Sequence, residues 1–145
     1  MKSVLSHLIL KTASFTLPML ILSGCGGDGS TPESASQMFV QSAYSGDTKT
    51  MFALLGYDRA TPKNDEQLKD LKNMKGKLSS MSAEMLRDTR ARGGIKEVKA
   101  TERKCDEKME ECEMTVVVSY NKDPRTDTEH VKVVKRSGSW MPVLL

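Results

Sequence analysis

EMTVVVSY, residues 113–120, alternates about a strand axis: Met114, Val116, Val118 and Tyr120 share one side, and Val117 takes the other. Successive strand side chains point to opposite faces, so this stretch has one face to bury and one left partly wet. Its surroundings read the same way. After Gly94, GIKEVKATERKC (94–105), CEMTVVVSYN (112–121), DTEHVKVVKR (127–136) and SWMPVLL (139–145) are strand-like, with NKDPRT as a longer turn and RSGS as a tight one. Four strands joined in series make an antiparallel meander, helices on one face and the other open to water.

Upstream, the period changes from two to that of a helix. STPESASQMFVQSAYSGD begins with Thr31 as a cap, Pro32 at the first helical position and Glu33 in the first turn; Ala35, Met38, Phe39 and Ala43 are its apolar stripe and Gly46 its stop. Asp47 caps a short second helix, TKTMFALLG, with Met51, Leu54 and Leu55 inward. From about Asp65 to Arg92, Leu68, Leu71, Met74, Leu78, Met81 and Met85 step by threes and fours as one face, and Gly93-Gly94 end the helix. The expected fold class is α+β, three N-terminal helices packed on a four-stranded antiparallel sheet. Leu71, Leu78, Met81, Met85, Val116 and Val118 are expected in one core.

The first hairpin carries a conflict of register. If Cys105 lies opposite Cys112, Val116 meets Thr101 and Val118 meets Lys99. A slip of one residue gives Ala100 and Val98 instead, a far better buried face. One residue of slip turns every side chain over, so both demands are met only by a bulge, expected between Glu102 and Cys105.

The N-terminus supplies an address. Lys2, His7 and Lys11 precede TASFTLPMLILS, which is apolar but shorter than the roughly 20 residues needed to span a bilayer. Leu22-Ser23-Gly24-Cys25 then resembles the lipobox of bacterial lipoproteins, in which the cysteine is diacylated and becomes the new N-terminus. Residues 1–24 are read as a signal peptide that is removed, 25–30 as the lipidated Cys25 and a flexible tether, and 31–145 as one domain. Two or more acyl chains hold a protein stably at a membrane. Gly at position 26, where an Asp would resemble an inner-membrane retention signal, favours the outer membrane facing the periplasm.

The remaining chemistry is sparse. The chain's net charge of +3 falls to about +1 once Lys2 and Lys11 leave, giving no bias towards nucleic acid. Cys105 and Cys112 are expected to form a disulfide in an oxidising envelope; a metal site would need four ligands at familiar spacings, and this pair with a distant His130 does not supply them. His130 is weighed as a general base against a solvated strand histidine, and the tip DEKMEE as a calcium loop against a solvated hairpin end. Arg87 to Lys104, with seven basic and three acidic residues, faces either anionic headgroups, a polyanion or water. Tyr120 and Trp140 are candidate ligand-lining residues, with core packing as the alternative. No cofactor is expected.

Three helices followed by an antiparallel sheet resemble the nuclear transport factor 2-like (cystatin-like, SnoaL-like) superfamily. Within it, TPESASQMFVQSAYSGD, GGIKEVKATE and HVKVVKRSGSWMPV resemble the bacterial lipoprotein family called domain of unknown function 4878, over roughly Thr31 to Val143. The resemblance implies a curved sheet wrapped around the long helix, with a cavity at its open end. Enzymes of the superfamily place an Asp or His acid/base pair in that cavity; His130 lies opposite Val131 and Val133 by alternation, so no such pair carries over. The function expected is a non-enzymatic, membrane-anchored domain that binds an envelope protein or a small apolar ligand at the concave face. A cavity enzyme of the SnoaL or ketosteroid isomerase type, or a structural or stress-related envelope factor, are the alternatives.

Overall fold

Local chemistry sets the ends of each element. The computed structural model describes residues 29–144, so residues 1–24, expected to be a signal peptide, and Cys25 lie outside the described residues. Helix α1 (Pro32–Ser45) starts where the Thr31 side chain accepts the Ser34 N–H, with proline at the first turn. It stops at Gly46, whose left-handed φ of 75° suits a residue without a Cβ; an added methyl would meet Leu86 Cδ2 at 2.7 Å. Asp47 caps α2 (Thr48–Leu54), and Asn64 caps α3 (Asp65–Ala91). Strands β1 (Ile95–Cys105), β2 (Glu111–Tyr120), β3 (Asp127–Arg136) and β4 (Ser139–Val143) pair in sequence order, all antiparallel. Ser137 and Gly138 both take positive φ in the β3–β4 turn, the requirement of a tight two-residue hairpin.

The sheet turns Cys112, Met114, Val116, Val118 and Tyr120 of β2 inward, with Val131 and Val133 of β3 and Trp140 of β4. Against this face lies α1, which touches all four strands, while α3 stacks mainly on α1 as an outer layer. This corrects the expectation that the sheet wraps the long helix: α1 is the helix it covers. Being enclosed on two sides, α1 buries Ser36, Val40, Ser42 and Tyr44 in addition to Ala35 and Ala43.

The same layering corrects the core of α3. Leu78 is 5 % exposed, but Met81 is 39 % exposed, and Leu71 and Met85 are half-buried. The buried line is Leu78, Ser82 and Thr89, so two polar residues that lie off the expected apolar face share the contact with Leu78. Ser82 is satisfied there, its hydroxyl donating to the Ala43 carbonyl at 2.7 Å. A stripe drawn through the hydrophobic residues alone is thereby rotated off the true contact.

In the first hairpin, Val98 opposes Val118, Ala100 opposes Val116, and Cys105 opposes Cys112. The valine face and the cysteine pair coexist because of a bulge, as the sequence requires, but the extra residue is Thr101, between Ala100 and Glu102 rather than beyond Glu102. Its hydroxyl donates to the Thr115 carbonyl, which gives an otherwise unpaired strand position a partner. A second shift, between Ile95 and Glu97, has no counterpart in the sequence reading.

Candidate functional site

Alternation along β3 places two carboxylates on the covered face. Asp127 and Glu129 share a side with Val131 and Val133, opposite Val118 and Val116 of β2. A carboxylate taken out of water needs partners, and each has them. The Tyr44 hydroxyl, from α1, donates to Glu129 Oε1 at 2.5 Å. The Tyr120 hydroxyl donates to Asp127 Oδ2 at 2.6 Å, and Arg92 Nη1 donates to the same oxygen at 2.7 Å. Arg92 also donates through Nε to Asp123 Oδ2 at 2.9 Å and stacks over the Tyr120 ring, 3.6 Å from its centre. Five residues from α1, the end of α3, β2 and β3 are thus drawn together at one end of the sheet, with Asp123 of the β2–β3 connection.

The electrostatics follow from these contacts. Burial, and then the bond to Glu129, push the Tyr44 phenol far above its ordinary value; burial, then Asp127, do the same to Tyr120. Burial acts to raise Asp127, but the hydrogen bonds from Tyr120 and Arg92 outweigh it and hold the carboxyl below its usual range. Asp123 is held lower by the Arg125 side chain and N–H, with Arg92 adding to them. Arg92 is pulled down by burial and, more strongly, up by Asp127 and Asp123. A cleft of about 570 Å³ opens beside this cluster, lined by Asp88, Arg92, Lys122, Asp123 and Asp127.

The residues singled out from sequence fall elsewhere or apart. Tyr120 is 3 % exposed and belongs to the cluster. Trp140, 6 % exposed, pairs with Lys135 near the far end of β3, so the two aromatic residues line no common cavity. Trp140 borders a separate cleft of about 710 Å³ between α2 and β4, with Met38, Leu54 and Met141. His130 is exposed on the open face, opposite Thr115, as its parity requires. Cys105 and Cys112 are joined in a disulfide, with Cα atoms 4.0 Å apart. At the hairpin tip, Asp106 Oδ1 accepts the Glu110 and Glu111 N–H groups and closes the turn. Among the described residues no group of three His, Cys, Asp or Glu is placed to hold a metal ion, and no helix is long and apolar enough to cross a membrane.

The Tyr–carboxylate–Arg cluster is what the sequence reading missed. Its signal was present: Asp127 and Glu129 have the parity of Val131 and Val133. Arg92 could not be found that way, because its partners lie 31 and 35 residues on.

Three helices on one face of a four-stranded antiparallel sheet make an α+β fold of the nuclear transport factor 2-like kind. A solved Campylobacter jejuni structure, provisionally named an NTF2-like transpeptidase, is similar at a TM-score of 0.63 and 24% identity, covering 76% of this chain and 94% of that one. The chain belongs to the family described as Domain of unknown function (DUF4878), which matches residues 23–142. No curated protein matches it.

Proposed function

We propose that this protein is a lipid-anchored component of the bacterial envelope whose domain acts by binding rather than by catalysis. The observation that carries the second half is the pairing at the covered face. General acid–base catalysis works best with groups poised near the operating pH. Here Tyr44 and Tyr120 are driven up, Asp123 and Asp127 down, and every one of them already holds a partner. A transpeptidase, the name given to the Campylobacter jejuni neighbour, needs a nucleophile with a base beside it. Cys105 and Cys112 are bonded to each other, and the buried Ser36, Ser42 and Ser82 donate to backbone carbonyls. The anchor rests on the lipobox-like Leu22–Cys25. Because α1 fills the face expected to receive a ligand, the binding site is assigned to the cleft between α2 and β4, beside Trp140.

Labelled palmitate and fractionation test the anchor: the wild-type chain should take up label and sediment with membranes, and Cys25→Ser should do neither. Normal labelling of the mutant removes the anchor. Crosslinking from a photoreactive residue at Met141, against one at the open-face His130, tests the cleft. Equal capture from both positions removes it.

A further inference from the structure

Leu78, Ser82 and Thr89 mark the side of α3 that is buried. At about 100° of rotation per residue, Lys69, Lys72, Lys75, Arg87 and Arg90 fall within an arc of about 120°, centred about 100° round from that side. Four of the five are exposed; Lys75 is half-buried, with its Nζ 5.6 Å from the centre of the Phe52 ring. Between Lys69 and Arg90 the arc carries Gly76, Ser79, Ala83 and the half-buried Leu86 and no carboxylate, since Asp70, Glu84 and Asp88 lie on another flank and Asp65 sits in the first turn. Among the described residues none of the five is in an ion pair, in contrast to Arg92, which has three carboxylate partners. The result is a straight basic stripe about 31 Å long, at 1.5 Å per residue.

We propose that this stripe lies against the anionic headgroups of the membrane that holds the chain's own lipid anchor. The inference rests on that anchor and adds an orientation to it. Geometry favours a bilayer as the occupant. The four residue steps from Cys25 to Gly29 reach at most about 14 Å, and Gly29 is fixed to the sheet, its carbonyl accepting the Trp140 N–H at 2.7 Å. Helix α1 begins three residues later. Helix α3 runs parallel to α1, because Ser82 meets Ala43 and Leu86 meets Gly46. The half of α3 bearing Lys69, Lys72 and Lys75 therefore lies towards the anchored end of the domain. A cation near an anionic leaflet strengthens docking by about fivefold, and the effect is screened by salt.

The test uses the full lipidated protein, reconstituted into vesicles of phosphatidylcholine alone or of equal parts phosphatidylcholine and phosphatidylglycerol. Lysine acetylation is followed by mass spectrometry. Lys69 and Lys72 should react several-fold more slowly on the anionic vesicles, Lys108 and Lys135 at unchanged rates, and high salt should abolish the difference. Arg87→Gln/Arg90→Gln should remove most of the protection at Lys69 and Lys72. Equal rates on both kinds of vesicle, or equal slowing of all four lysines, overturns the orientation while leaving the anchor in place. A protein that fails to float with the neutral vesicles overturns the anchor, and the orientation with it.

Discussion

Arg92 and Tyr120 share one acceptor: the guanidinium stacked on the Tyr120 ring and the Tyr120 hydroxyl both donate to Asp127 Oδ2. The end of α3 is thereby tied to two strands at a single oxygen. Neither residue can be changed without exposing the other's partner, so the cluster behaves as a unit.

Acid should reveal that unit. Asp123 and Asp127 have folded values below the ordinary carboxylate range. Their stabilisation is therefore present above about pH 4 and lost as pH falls below it. Arg92→Gln should lower the thermal midpoint at neutral pH and reduce the acid loss due to Asp127, while Asp123 keeps Arg125. Parallel pH–stability curves for wild type and variant would count against the arrangement.

At the alkaline side the sign reverses. Tyr44 and Tyr120 are held protonated in the fold, so stability is complete below about pH 10, where a free tyrosine ionises, and falls as pH rises beyond it. Tyr44→Phe should cost about 1–2 kcal/mol at neutral pH by depriving Glu129 of its donor, and should lessen the alkaline loss. Urea midpoints at two pH values measure both effects.

Thr101 allows the disulfide and the valine face to coexist. Cys105→Ser/Cys112→Ser should cost about 2.5 kcal/mol and preserve the fold. Deleting Thr101 should be worse, since it sets the cysteine pair against Val98 and Ala100 for the same register. Combining the deletion with the double serine change should recover part of the loss. A deletion with an unchanged denaturation midpoint would show that the bulge carries no conflict.

The register of α3 can be checked by truncation. Leu78→Ala should cost about 3 kcal/mol, and Met81→Ala within about 0.5 kcal/mol. Similar costs at the two positions would restore the stripe expected from hydrophobicity.

The four strands were legible because alternation and turn chemistry agree in each of them, most clearly from Met114 to Tyr120. The bulge was legible for a different reason, two pairing demands differing by one residue. The seam of α3 was not, because Ser82 and Thr89 are buried by tertiary contact and no hydrophobic count marks them. Nor was the layer order: amphipathic patterning says that α1 and α3 each bury a face, not which lies next to the sheet. Asp127 and Glu129 could have been placed by parity, but their partners Tyr44 and Arg92 come from other elements and need the fold to be known.

The bond between Gly29 and Trp140 has a further consequence for how these molecules behave when crowded. In a two-residue hairpin, alternate positions of the outer strand turn their N–H groups away from the partner strand. In β4 those positions are Trp140 and Pro142. One N–H is taken by the Gly29 carbonyl, and the other does not exist. The opposite edge, β1, is interrupted by two register shifts and carries Lys96, Glu97, Lys99, Glu102, Arg103 and Lys104. Both open margins of the sheet are thus closed to strand-to-strand polymerisation. Many copies at high concentration can then collide without fusing their sheets.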